Sequence, residues 1–337
     1  MGILYLILQD LAVFAGLAGI VWALVRFSKS DRWQRALRRF YRDKIGLLAF
    51  AVIAVYFLVA ICNFVKFPVR DASGNFMSVI EFCFRNVPAE RNYSEPMART
   101  TYTVNRAQPL KGRHLLGTDQ LGKDVLKKTL QGCGTAMLIG TFTSAIYIPI
   151  GIVLGISAGY YKKRIDDAVQ YVYSVLASIP GIMLLIAMLM VLGKGIPQIS
   201  FALGITGWVG LCRLLRGETF KLRERPYCDA ARALGQSDWN IIIRHILPNV
   251  MHLVFITFVL GFSGIVLSEA LLSYLSVGVP IGTPSWGVMI DSARMELSRD
   301  PSVWWNIGAA TAALFFLVLS LNLLADSLRR AFDPKSN

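Results

Sequence analysis

Residues 222–249, LRERPYCDAARALGQSDWNIIIRHILPN, form a basic, polar stretch between two long apolar segments. The placement of its glycine and prolines predicts ordered structure, not a slack linker. Pro226 suits the first turn of a helix, and Gly235 suits the position just past its end. Between them Tyr227, Ala230, Ala231 and Leu234 fall at i, i+3, i+4 and i+7, on one narrow apolar face. Ser237 and Asp238 are expected to open a second short helix, and Pro248 to stop it. A helix this short is marginal alone in water. It is therefore expected to dock into a partner's groove, with Ala230 and Ala231 permitting a close approach.

Composition sets the surroundings of that stretch. Of 337 residues, 55% are hydrophobic and 17% charged, and the mean hydropathy is +0.52. That balance does not suit a soluble globular chain and predicts an all-α polytopic membrane protein. The 35 basic and 21 acidic residues leave a net charge of +14. Basic loops on the inner side of a membrane account for such an excess, so no nucleic-acid partner is expected. The five cysteines, Cys62, Cys83, Cys133, Cys212 and Cys228, include no CxxC spacing, which argues against a disulfide framework or zinc site. His114, His245 and His252 are too scattered for a metal cluster.

A span needs roughly 20 apolar residues. Candidates are 3–25, 46–65, 134–159, 172–192, 199–215, 250–277 and 304–325. The first lacks a basic leader and a small-residue cleavage site, so it reads as a true span and not as a signal peptide. The domains expected are an extra N-terminal span (1–26), a basic elbow helix (27–45), a first core span (46–65) and a long external loop (66–133). A five-span core (134–328) with its cytoplasmic loop (216–249) and a short tail (329–337) complete the chain. The run from Arg26 to Lys44 places that elbow inside, and hence the N-terminus outside and the C-terminus inside. Trp33, Leu37, Phe40 and Tyr41 share a face of the elbow, which suits a helix lying along the lipid surface. Arg85, Arg91 and Arg99 in the external loop oppose the charge rule, from which loops longer than about 60 residues are exempt.

Gly117 to Asp124 reads GTDQLGKD, a G-x-x-x-x-G-K string followed by aspartate where a phosphate loop has Ser or Thr. The carboxylate would repel phosphate, so no ATP site is expected on this chain. Gly151, Gly155 and Gly159 repeat every fourth residue, a ridge for close helix packing, while Pro149 and Pro180 are expected to kink their spans. Glu269 is the only carboxylate inside an otherwise apolar span, with Ser268 beside it. Charge at membrane depth faces a cavity or a partner helix, so Glu269 is either a gate-side residue or a structural link between spans.

Asp229-Ala230-Ala231, Gly235 and Leu247-Pro248 resemble the EAA loop, the cytoplasmic coupling helix of ABC importer permeases, with Asp in place of Glu. Arg113 to Val125, RHLLGTDQLGKDV, resembles the HPLGTDxLGRDV segment of C-type permeases in the dipeptide, oligopeptide and nickel importers. Glu269 to Gly278, Thr283 to Gly287, Asn322 to Arg329 and Asp333-Pro334 fit the same family. The resemblance covers about 30–337 and implies a six-span type I ABC importer permease core beside the extra first span. It implies a non-catalytic subunit in the bacterial inner membrane, carrying peptides or alternatively nickel or a peptide-like antibiotic. The implied partners are a second permease, one or two ABC ATPases that hold ATP and Mg, and an external substrate-binding protein. Tyr227, Asp229, Ala230, Ala231, Leu234 and Gly235 would form the ATPase-coupling helix. Ser268, Glu269 and Trp286 would mark the pathway or gate. A secondary transporter would carry paired midplane charges and an inverted repeat, and a membrane enzyme would carry an acid–base or ligand cluster. The sequence displays neither.

Overall fold

The computed structural model describes residues 31–70, 76–90, 92–101, 109–280, 282–298 and 302–332. The expected first span, the start of the elbow and the last tail residues lie outside these. The helices are α1 (Asp31–Phe40), α2 (Lys44–Phe64), α3 (Val79–Cys83), α4 (Val125–Tyr161), α5 (Lys163–Ser178) and α6 (Gly181–Leu192). They continue as α7 (Ile196–Arg223), α8 (Pro226–Ala233), α9 (Asp238–Ile241), α10 (Leu247–Tyr274), α11 (Trp286–Arg294) and α12 (Trp305–Phe332). Strands β1 (Lys66–Arg70) and β2 (Phe76–Ser78) pair antiparallel, Lys66 opposite Ser78. Among the described residues five helices are long and apolar enough to cross a membrane, counting Asp238–Tyr274 as one, and a sixth crossing arises if α5 and α6 act together.

Two expectations, the span at 172–192 and the stop at Pro248, need correction, and two helices run beyond the apolar stretches expected to cross. The span at 172–192 is broken: α5 and α6 meet at 88°, because Pro180 forces Ile179 into extended backbone (φ −92°, ψ 133°). Helix α4 begins at Val125, well before 134, since Asp124 caps it by accepting the Lys127 amide at 2.9 Å. Pro248 does not end the second short helix. Residues Ile242–Ile246 form a π turn that joins α9 to α10, and the Leu247 amide reaches back to the Ile242 carbonyl. The widened turn leaves Pro248 in a renewed first turn, where a missing N–H costs little. At the other end, α12 continues to Phe332, past the expected start of the tail.

The described residues divide into two compact units, one up to Leu138 with everything from Val266 onward, the other Ile139–Ile265. In the first, Asp43 caps α2 by accepting the Ile45 and Gly46 amides. Its second oxygen takes a 2.8 Å bond from Arg330 on α12. Ala36 and Phe40 of the elbow are buried, one turn apart on a single face. Further along, the Tyr56 hydroxyl donates to the Ala313 carbonyl at 2.8 Å. In the second unit the ridge of Gly151, Gly155 and Gly159 lies on α7. A methyl at these positions would stand 2.9 Å from Leu211, 2.8 Å from the Cys212 carbonyl and 2.6 Å from Thr219. Only hydrogen fits there, so the small-residue repeat sets the helix separation.

Candidate functional site

Helix α8 is eight residues long, starts with Pro226 at its first position and has Asp229 in its first turn, where a carboxylate complements the helix dipole. Gly235 has φ +75°. Its amide bonds the Arg232 carbonyl at 2.9 Å and that of Gln236 bonds Ala231 at 3.1 Å, the paired closure of a Schellman motif that favours glycine. Ser237 then caps α9. The expected apolar face divides. Ala231 (5% exposed) and Cys228 pack inward, whereas Leu234 is 81% and Trp239 68% exposed, with Tyr227 and Ala230 also open. Burial pushes the Cys228 thiol up from its ordinary value, so it is inert packing and not a reactive thiolate.

What holds so short a helix in place is Tyr160, at the end of α4. Its hydroxyl donates to Asp238 at 2.6 Å, and Arg223 and Arg232 both stand over its ring at 5.7 Å. Arg223 also donates to the Tyr160 carbonyl. Arg232 pairs with Asp229 at 2.8 Å, and its guanidinium is held above its usual value chiefly by the Tyr160 hydroxyl. One hydrogen bond worth about 1 kcal/mol and two cation–π contacts at ~0.5–1 each outweigh the marginal instability of the isolated helix. Nearby, Lys162 pairs with Glu224 at 2.8 Å, which lowers the Glu224 carboxyl. Bidentate contact of Arg216 with Asp166 fixes α5 on α7. Tyr160, Asp166 and Arg216 carried no sequence signal, because their partners lie 50 to 78 residues away.

The GTDQLGKD string folds as a closed polar knot. Asp119 Oδ1 accepts the Leu121 amide at 2.8 Å and the Lys123 amide at 2.9 Å, and Oδ2 pairs with Lys128. Those donors are the ones a phosphate would need, and the chain's own carboxylate occupies them. Behind it, buried His114 meets Asp124 at 2.9 Å. Glu90 Oε1 accepts the Lys111 and Gly112 amides at 2.7 and 3.1 Å, and Trp305 donates to the Thr118 carbonyl at 2.9 Å.

Glu269 is 1% exposed. Its Oε1 accepts the Ser273 hydroxyl at 2.8 Å and the Ser285 hydroxyl at 2.7 Å. Ser273 in turn accepts the Val279 amide, and Ser285 caps α11 through the Gly287 amide. The carboxylate thus pins the segment after α10 back onto that helix. Trp286, 1% exposed, donates to the Thr129 carbonyl at 2.9 Å and packs edge-on against Tyr56. Both residues are packed within the first unit, and Ser268 precedes Glu269 on the same helix. Arg85 stands over the Phe82 ring at 5.7 Å, and Arg91 lies outside the described residues. Among the described residues no cluster of three or more His, Cys, Asp or Glu is arranged for a metal ion.

Comparison with known proteins gives one family and several relatives. Residues 151–337 match the family described as "Binding-protein-dependent transport system inner membrane component". The oligopeptide transport system permease protein OppC of Bacillus subtilis is 28% identical over 303 residues, 90% of each chain. The glutathione transport system permease protein GsiD of Pectobacterium atrosepticum is 35% identical over 222 residues, 66% of this chain and 73% of that one. The dipeptide transport system permease protein DppC of Lactococcus lactis is 27% identical over 317 residues, 90% of this chain and 91% of its own.

Proposed function

The chain belongs to the binding-protein-dependent transport system inner membrane components, and from that premise we propose that it is a permease subunit of an ATP-driven importer of short peptides. The peptide class rests on three relatives named for oligopeptide, glutathione and dipeptide transport. Such a permease works with an ATPase and a substrate-binding protein, and here a second permease completes the pathway. ATP and Mg bind the ATPase chains. The elbow and the basic loop 216–249 face the cytoplasm, next to anionic lipid, and the knot around Asp119 faces outward.

One observation carries the coupling role: a short helix, closed by Gly235 and braced by Tyr160, leaves Tyr227, Ala230 and Leu234 exposed. The ATPase groove receives that face, while Ala231 and Gly235 shape the helix from within and Asp229 orients Arg232. Nucleotide-driven closure of the ATPases moves α8, and with it α7 and α10, which flank it in sequence. Glu269, Ser268 and Trp286 act at the outer end of this path. Glu269 latches the outer segment there and does not contact the cargo.

Gentle extraction of the tagged chain, followed by mass spectrometry of co-purifying proteins and an ATP hydrolysis assay, tests the reading. Recovery of a second permease and one or two ATPases, stimulated by a peptide-loaded binding protein, is expected. A chain that emerges alone and drives uptake with protons or sodium would overturn it.

A further inference from the structure

A cleft of about 640 Å³ opens beside the knot, between α3, the start of α4 and the residues around α11. This is the size of a small-ligand site. Phe84 and Met289 supply apolar wall, and the charged and amide groups of the lining are Lys123, Lys127, Lys128, Gln120, Gln131, Glu81 and Asp124, the last held by His114 and the Lys127 amide. The charges are not equivalent. Lys128 is committed to Asp119. Glu81 holds the Ser78 amide at 2.8 Å through one oxygen and the Gln131 amide at 3.4 Å through the other. No ion pair engages the Lys123 or Lys127 ammonium among the described residues. Lys127 and Gln131, one helical turn apart on α4, present a cation and an amide along the same wall.

Two uncommitted ammonium groups beside an apolar wall are complementary to a carboxylate attached to a small apolar body. We propose that this cleft is a peptide subsite on the permease itself, in which Lys127 and Lys123 take the C-terminal carboxylate and the Phe84–Met289 wall takes the adjoining side chain. The inference rests on the peptide-importer reading and assigns a chemical group to it. Charge-assisted contacts to a carboxylate are the stronger kind of hydrogen bond, so most of the recognition falls on the terminal carboxylate. Both residues enter the fold through their backbone amides, and neither ammonium makes a hydrogen bond or ion pair among the described residues, so replacing the side chains leaves the chain intact.

The test is saturation-transfer NMR on the full chain and its co-purified partners in lipid nanodiscs, without the soluble binding protein. The probes are trialanine, trialanine amide and acetate. Trialanine is expected to show transfer, the amide to bind about tenfold more weakly or not at all, and Lys127→Gln with Lys123→Gln to remove the trialanine signal. Equal transfer from acid and amide, no transfer from trialanine, or a signal unchanged in the double variant would overturn the proposal. So would acetate that displaces trialanine at equal concentration, because the site would then take any carboxylate. Uptake of labelled trialanine by cells bearing the complete transporter is read separately. Uptake without binding removes the subsite and leaves the importer, whereas binding without ATP-dependent uptake removes the importer reading.

Discussion

The segments 112–125 and 222–249 look alike as strings: both are polar and carry charges of both signs, both contain glycine and aspartate, and both adjoin long apolar helices. They fold to opposite ends. In the first, Thr118, Asp119, His114 and Asp124 are buried and bonded to one another or to nearby backbone. In the second, the charged groups brace the loop from beneath, and its apolar residues Leu234 and Trp239 stand in the open. Burying a polar group demands that its hydrogen bonds be met internally, so the first segment is finished within the chain. An exposed apolar edge on a rigid frame is unfinished, and the matching surface must come from elsewhere. The difference separates a segment that shapes its own chain from one that, under the proposed function, engages another.

Asp119→Ala attacks the closed segment and carries the largest expected effect. It strips two amides and the Lys128 ammonium of their acceptor, a loss of about 3 kcal/mol of stability. A thermal unfolding midpoint equal to that of the parent chain would show the knot to be incidental. On the open segment, Leu234→Asp is expected to leave that midpoint unchanged and to reduce ATPase co-purification about tenfold. Ala231→Glu should destabilise the loop itself, since that side chain points inward. If the two variants behave alike, the division of the helix face is wrong.

Tyr160→Phe sharpens the picture of the brace. It removes the bond to Asp238 but keeps the ring under Arg223 and Arg232, at a cost of about 1 kcal/mol. Hydrogen exchange in 226–241 should quicken accordingly, and Tyr160→Ala should quicken it further. No change in either would leave α8 without its proposed anchor. The smallest effect is at the elbow. The hydrogen bond from Arg330 draws the Asp43 carboxyl from 3.8 down to about 2. A lowered folded-state value means that the anchor contributes fully above about pH 4 and is lost as pH falls through about 2. Exchange of the Ile45 and Gly46 amides should therefore quicken over that window, and Asp43→Asn should abolish the pH dependence.

Apolar run length, the Pro226–Gly235 spacing and the Asp229-Ala230-Ala231 core were enough to place five of the long apolar helices and the short helix. These are local properties: hydrophobic thickness, proline's missing N–H and glycine's access to positive φ act within a few residues. Pro180 was legible as a disturbance but not as an 88° break, since the size of a bend depends on what packs against it. Pro248 was misread because a π turn can absorb a proline that an unbroken α-helix cannot.

By itself, then, the sequence determined a polytopic helical membrane protein, the close contact along Gly151, Gly155 and Gly159, and a short helix in the loop between two long ones. Only the tertiary structure decided which way each side chain faces. It turned Ala231 inward and Leu234 outward, filled the phosphate-like loop with Asp119, and gave Glu269 to Ser273 and Ser285. It also set Tyr160 beneath two arginines. The physical reason is range. Backbone preferences are written in neighbouring residues, whereas a buried carboxylate or an arginine must find a partner that folding alone brings within 3 Å, and no local pattern names that partner.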